Sequence, residues 1–190
     1  MARRSIVWVK TDTPGAEVAA VNISRDGSLS ATGTAIGSSP SGYRLDYKLD
    51  TGSAFVTRRL SLVARGDGWR RTLDLTRLRS GRWVCAGVES DMTVLHGALD
   101  CDLALSPLTN TMPVLRHGLL EAGGPVEFLM AWVSVPDLRV IPSVQRYRFL
   151  RKSGRNSIVR YESQSRDFVA DLTFDKDGLC LDYPGIGRAV

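Results

Sequence analysis

The stretch Leu99-Asp100-Cys101-Asp102-Leu103, running into Ser106-Pro107-Leu108-Thr109-Asn110-Thr111-Met112-Pro113, decides how this chain folds. Residues 96–105 alternate as a strand does, placing His96, Ala98, Asp100, Asp102 and Ala104 on one side and Leu99, Cys101, Leu103 and Leu105 on the other. Beyond Leu105 the alternation stops. Ser106 is a natural N-cap with Pro107 at the first helical position, and Leu108, Met112, Leu115 and Leu119 follow at helical spacing on one face. This predicts a helix within Pro107 to Leu120. Pro113 removes one hydrogen bond and crowds the preceding turn, so the helix should begin near Pro113 or kink there.

The rest of the chain repeats a different theme, short alternating runs closed by glycine turns. Strands are expected at Ile6–Lys10, Ala16–Ile23, Leu29–Ile36, Tyr43–Leu49, Ala54–Ala64, Trp69–Leu75, Arg82–Ala86, Thr93–His96 and Ala98–Leu105. After the proline-bounded segment come Val126–Val135, Leu138–Ile141, Val144–Arg151, Ser157–Glu162, Asp167–Phe174 and Leu179–Tyr183. Arg25-Asp26-Gly27, Gly66-Asp67-Gly68 and Asp177-Gly178 are hairpin signals. About fifteen strands and one helix make a mainly β chain. No composition break or repeat divides residues 1–190, so one domain is expected.

The 190 residues carry 18 glycines and 8 prolines spread along the chain, in keeping with many turns, and 43% apolar residues, enough for a core. Net charge is +5, from 25 Lys and Arg against 20 Asp and Glu, and only Lys10 and Lys48 precede residue 151. The cations are thus nearly all arginine and scattered over strands, which speaks against a nucleic-acid footprint. Cys85, Cys101 and Cys180 form no CxxC pair, which favours free thiols in a reducing compartment over a zinc or redox site. The apolar run Ile6–Val9 is too short for a secretory leader, and Val126–Ile141 is too short and too polar to span a bilayer. A cytoplasmic protein is expected.

Asp100 and Asp102 should lie about 7 Å apart on one side of their strand. With His96 they could hold a metal or do acid–base work, although same-facing carboxylates are also what any half-exposed strand shows. Arg58 shares a face with Val56, Leu60 and Leu62, so alternation points it inward. A buried guanidinium needs a partner, and Asp100 or Asp102 is the expected one. No GxSxG elbow, HExxH, P-loop or GxGxxG occurs, so neither a catalytic motif nor a cofactor is signalled.

The central stretch Asp100–Leu103 and Ser106–Val114 resembles the signature of the putative glycolipid-binding family of bacteria. The closing Tyr183-Pro184-Gly185-Ile186 resembles that family's C-terminal motif, and Thr57-Arg58, Trp132-Val133, Gln145-Arg146-Tyr147 and the Phe168-to-Gly178 strand pair occur in matching order. The resemblance implies a spiral β-roll, a long antiparallel sheet of about fifteen strands wrapped around a single α-helix, and a homodimer. One departure is Leu115-Arg116-His117, where the family pattern continues with paired arginines and a leucine.

Resemblance and residues together imply a non-enzymatic binding protein for an amphipathic ligand, a glycolipid or another acyl-bearing molecule, held in a mostly apolar concavity with few polar anchors. The candidate anchors are Arg58, Asp100, Asp102, Asn110, Arg116 and Tyr147, with no metal. The alternatives are an enzyme on a small carbohydrate-like or acyl substrate, using Asp100, Asp102 and His96, and a dimeric structural module without a small ligand.

Overall fold

The computed structural model describes residues 2–87 and 92–190. Seven strands fill the first half: β1 (Ala2–Lys10), β2 (Gly15–Ile23), β3 (Leu29–Gly37), β4 (Tyr43–Thr51), β5 (Thr57–Gly66), β6 (Trp69–Arg77) and β7 (Trp83–Cys85). The second half holds β8 (Asp100–Leu103), the helix α1 (Thr111–Arg116), β9 (Val126–Val133), β10 (Val140–Ser153), β11 (Asn156–Ser163), β12 (Phe168–Phe174), β13 (Cys180–Tyr183) and β14 (Gly187–Ala189).

All the strands belong to one 14-stranded sheet in the order β7-β6-β5-β4-β3-β2-β1-β14-β13-β12-β11-β10-β9-β8. The chain starts mid-sheet, meanders to the β7 edge, crosses to the β8 edge and meanders back until β14 pairs with β1. Every pairing is antiparallel except β8 with β9. The sheet is open but rolled. The Thr57 N–H donates to Leu99 O at 3.0 Å, and the Cys101 N–H donates to Thr57 Oγ1 at 3.0 Å, so the β8 edge is held against the inside of β5.

Period-two patterning makes the sheet one-sided. In β4, Tyr43, Leu45, Tyr47, Leu49 and Thr51 are buried, while Arg44, Asp46, Lys48 and Asp50 face outward. Turn chemistry sets the register at the hairpins. Asp26 Oδ1 accepts the Ser28 N–H at 3.1 Å beside Gly27 at φ 79°, a conformation that favours glycine.

The rolled sheet encloses the proline-bounded segment, as its sequence and the family resemblance lead one to expect. Ser106 Oγ accepts the Leu108 N–H at 3.3 Å, a 3-10 turn covers Leu108–Asn110, and α1 begins two residues before Pro113. Every residue from Ser106 to Val114 is buried. The single apolar face read from the sequence is therefore only part of the packing. Leu108 and Met112 join the core of the N-terminal strands, whereas Val114 and Leu119 join a second core with Tyr147, Tyr161, Leu172 and Phe174, and Leu115 is half-buried.

Four local expectations need correction. Thr93–Leu95 is a 3-10 turn instead of a strand, closed by i→i+3 bonds from Leu95 to Met92 and from His96 to Thr93, both 2.9 Å. Residues 53–55 form another such turn, so β5 starts at Thr57. Leu138–Ile141 and Val144–Arg151 are not two strands, because β10 runs through Pro142. That residue pairs with β9 alone, since β11 joins only from Gln145 onward, and a strand with one neighbour tolerates a proline. Finally, Gly187–Ala189 forms a fourteenth strand that no alternation announces.

Candidate functional site

Asp100 and Asp102 stand on β8 facing the central segment, where each meets a different partner. Arg116, in the last turn of α1, grips Asp100 with both terminal nitrogens, Nη1 at 2.8 Å from Oδ1 and Nη2 on Oδ2. Both side chains are almost wholly buried. Burial pushes the Asp100 carboxyl up, and the Arg116 hydrogen bonds and charge pull it back down. The guanidinium also stacks on Phe128, with Cζ 5.8 Å from the ring centroid, and the His117 ring lies 4.8 Å from the same ring. Burial first, and then the Arg116 charge, lower the His117 pKa.

Arg116 thus occupies the position expected of Arg58, which is exposed. The cause is a β-bulge. Asp50 pairs with Arg59 and Thr51 with Thr57, leaving Arg58 as the extra residue with no partner on β4. The bulge resets the alternation so that Thr57 and Leu60 both point inward while Arg58 and Arg59 both point out.

Asp102 anchors a second network. Its Oδ1 accepts from Thr109 Oγ1 at 2.8 Å and its Oδ2 from Gln145 Nε2 at 2.6 Å. The Tyr147 hydroxyl lies 2.8 Å from Asn110 Oδ1 and 3.1 Å from Gln145 Oε1, and its single proton serves one of them at a time. Burial raises the Asp102 carboxyl, and the Gln145 and Thr109 hydrogen bonds oppose this. The structure therefore unites five of the six candidate anchors, Asp100, Asp102, Asn110, Arg116 and Tyr147, into two adjoining buried networks. His96 stands apart, exposed behind its 3-10 turn and off the strand.

Asp102 is the anchor that meets the aromatic cavity. It borders a cavity of about 190 Å³, walled by Trp132, Tyr161, Phe168 and Tyr183 and by Leu103, Leu105 and Ile186. Arg166, in the turn before β12, completes the polar end. Its Cζ sits 4.9 Å from the Trp132 ring centroid, and Nη2 lies 4.0 Å from Asp102 Oδ2. It also donates to Ser143 Oγ at 3.1 Å and to the Tyr161 hydroxyl. Tyr161 makes edge contacts with Tyr147 at 5.2 Å and Tyr183 at 5.8 Å, joining the buried network to the cavity wall. Chemically, the cavity can stack a ring, accept a hydroxyl at Asp102 and donate to an oxygen from Arg166.

Sequence reasoning missed Thr109, Gln145 and Arg166 as site residues. For Gln145 a signal existed, since its alternation with Ser143 and Tyr147 puts all three on the inner face. Arg166 lies in an irregular turn with no periodic signal. A third buried cluster also went unread. Glu17 Oε1 accepts from the Tyr47 hydroxyl and from Ser106 Oγ, both at 2.7 Å, and Lys10 Nζ lies 3.8 Å from Oε2. Burial raises Glu17 and lowers Lys10. This cluster ties β1, β2 and β4 to the start of the central segment. Among the described residues, no group of three or more His, Cys, Asp or Glu side chains gathers as metal ligands.

Residues 5–189 match the model of the family described as "Putative glycolipid-binding". The chain belongs to that family. A crystal structure of a DUF1089 family protein from Pseudomonas aeruginosa is similar over 96% of this chain and 95% of that one, at 26% sequence identity and a TM-score of 0.74. No curated protein matches the chain. In this glycolipid-binding-family chain, Asp102, Leu103, Ser106, Trp132, Phe168, Tyr183 and Ile186 all come from the segments that carried the resemblance, and all line the one cavity. No helix among the described residues is long and apolar enough to cross a membrane.

Proposed function

We propose that this chain is a non-enzymatic binding protein for an amphipathic small molecule, a glycolipid or another acyl-bearing compound. The observation that carries the reading is a cavity whose aromatic and aliphatic wall ends in a carboxylate and a guanidinium 4.0 Å apart. Apolar concavities with a few placed polar groups are what small amphipathic ligands select. A volume of about 190 Å³ suits one ring or a short run of methylenes, so the remainder of the ligand extends past the mouth.

In this reading Asp102 accepts a ligand hydroxyl, Arg166 donates to an oxygen, and Trp132 and Tyr183 bracket the ring. Thr109 and Gln145 hold Asp102 in place, with Tyr147 and Asn110 behind Gln145 and the Asp100–Arg116 pair adjoining. The protein works in the cytoplasm, which the three free cysteines support, and as a homodimer, which light scattering on the purified chain tests. The binding experiment is native mass spectrometry of protein purified from its host, followed by titration with a lipid and glycolipid panel. A discrete adduct and saturable binding support the reading, and absence of both overturns it.

A further inference from the structure

The outer face of the sheet carries a pattern that the cavity does not use. Read across the strands, directly opposed residues form a row, Arg188–Val9–Ala16–Ile36–Arg44–Arg65–Arg70, drawn from β14, β1, β2, β3, β4, β5 and β6. In the neighbouring row Val7 opposes Val18. These aliphatic side chains face away from the core, with Val18 at 48% and Ile36 at 51% exposure. Together with Val7 and Val9 they make a contiguous apolar patch, unlike single hydrophobics scattered over a surface.

Arginines flank the patch on both sides. Arg188 is bound by Asp182, and Arg44 and Arg65 share Asp46. Among the described residues Arg70 has no carboxylate partner, and Arg65 opposes it directly across the β5–β6 ladder. Like charges placed opposite each other destabilise a sheet. Beside the patch, four arginines stand against Asp46 and Asp182, a local net positive charge, and further along the same face Lys48 and Arg59 are balanced by Asp50 and Asp74.

We propose that this face docks on an anionic lipid bilayer, with Val7, Val9, Val18 and Ile36 against the acyl boundary and Arg44, Arg65, Arg70 and Arg188 among the headgroups. Charge complementarity selects this occupant. A second copy applied to the same face would oppose arginine to arginine, whereas anionic headgroups relieve the Arg65–Arg70 repulsion. Short aliphatic side chains also suit shallow interfacial insertion. The proposal stands whether or not the cavity takes a ligand, because no residue of this face lines that cavity.

Co-sedimentation of the full chain tests it, using vesicles of phosphatidylcholine alone and of an equal mixture with phosphatidylglycerol. The expected result is selective binding to the anionic vesicles that fades as salt is raised. Arg65→Gln and Arg70→Gln should each weaken it about fivefold, the worth of one cation near such a surface. Val18→Ser with Ile36→Ser should weaken it further while leaving the melting curve intact, since these side chains touch no core. Equal binding to neutral vesicles, no binding to either, or undiminished binding by the variants would overturn the proposal. So would retention on immobilised polyglutamate without vesicle binding, which would identify an acidic protein as partner. Conversion of a dimer to monomer by the Val18–Ile36 variant, again without vesicle binding, would assign the face to self-association.

Discussion

Arg116 is the most informative residue to remove, because among the described residues it is the cation bonded to Asp100, with the His117 ring acting on that carboxylate only through space. Arg116→Met keeps the stem that crosses Phe128 and deletes both bonds to the carboxylate. Asp100 is fully buried, so its charge would then stand uncompensated, at a cost of about 3–5 kcal/mol. For a chain of this size that corresponds to a fall in melting temperature of about 6–20 °C. The cost should depend on pH. Burial already places the folded Asp100 above its unfolded value, and loss of Arg116 lifts it further. A carboxyl that binds its proton more tightly when folded contributes stability at low pH, and that stability is lost as pH rises through the raised value. The variant should therefore be closest to wild type in acid and furthest from it near neutrality. Adding Asp100→Leu should recover most of the loss, because an apolar pair of similar volume replaces buried charges at little cost. The assay is urea unfolding of the three proteins across pH. A single variant within about 1 kcal/mol of wild type at neutral pH, or a double variant no better than the single, would refute the buried-pair account.

Other consequences are checked more simply. Gly33 lies beneath the Tyr47 ring, and a Cβ there would collide with it, so Gly33→Ala should cost about 1–3 kcal/mol by thermal melting and loosen the Tyr47–Glu17 bond. Burial pushes the Cys101 thiol up to about 12 and raises Cys180 as well, whereas Cys85 is half-exposed. Maleimide should label Cys85 alone in the native protein, and all three cysteines after denaturation. Arg166→Met should lower affinity for an oxygen-bearing ligand about tenfold, the scale of one charge-assisted hydrogen bond, with a small effect on melting. In wild type, raised values at Glu17 and Asp102 act in the same sense as Asp100. Asp46 and Asp74, lowered by their bonds to Arg44 and Arg59, act oppositely and lose their contribution as pH falls through those lowered values. A pH series on Arg44→Gln, which removes one of the two cations on Asp46, should accordingly lose least against wild type in acid.

The legible parts of this fold are those in which one physical rule acts alone. Alternation along β4 marked its buried face because the sheet there has one wet side, and Asp26-Gly27 and Asp177-Gly178 marked hairpins because their backbone demands glycine. Ser106 and Pro113 marked the central segment through capping and ring sterics. Failures came where a neighbour overrode the local pattern. Arg58 reads as inward until the bulge opposite Thr51 inserts it as an unpaired residue, and Pro142 reads as a strand break until β10 is seen to have one neighbour there. The same logic holds for the site. The paired carboxylates were visible because Asp100 and Asp102 share a periodic strand. Arg166 was not, since a turn residue meets Asp102 and Trp132 only through tertiary approach. Glu17 has the inward phase of β2, but its burial becomes tolerable only through Tyr47, Ser106 and Lys10, from three distant segments.

The central claim is that the cavity beside Asp102 holds the ligand, and filling it tests that claim most directly. Ile186→Trp would project an indole into a space of about 190 Å³ at the mouth, leaving the Asp100 and Asp102 networks untouched. Wild type and variant, purified in parallel from the host, are compared by native mass spectrometry and thermal melting. The account predicts an adduct on the wild type, its loss from the variant, and similar melting of the two once delipidated. An adduct retained by the blocked variant, or none on either protein, would contradict it.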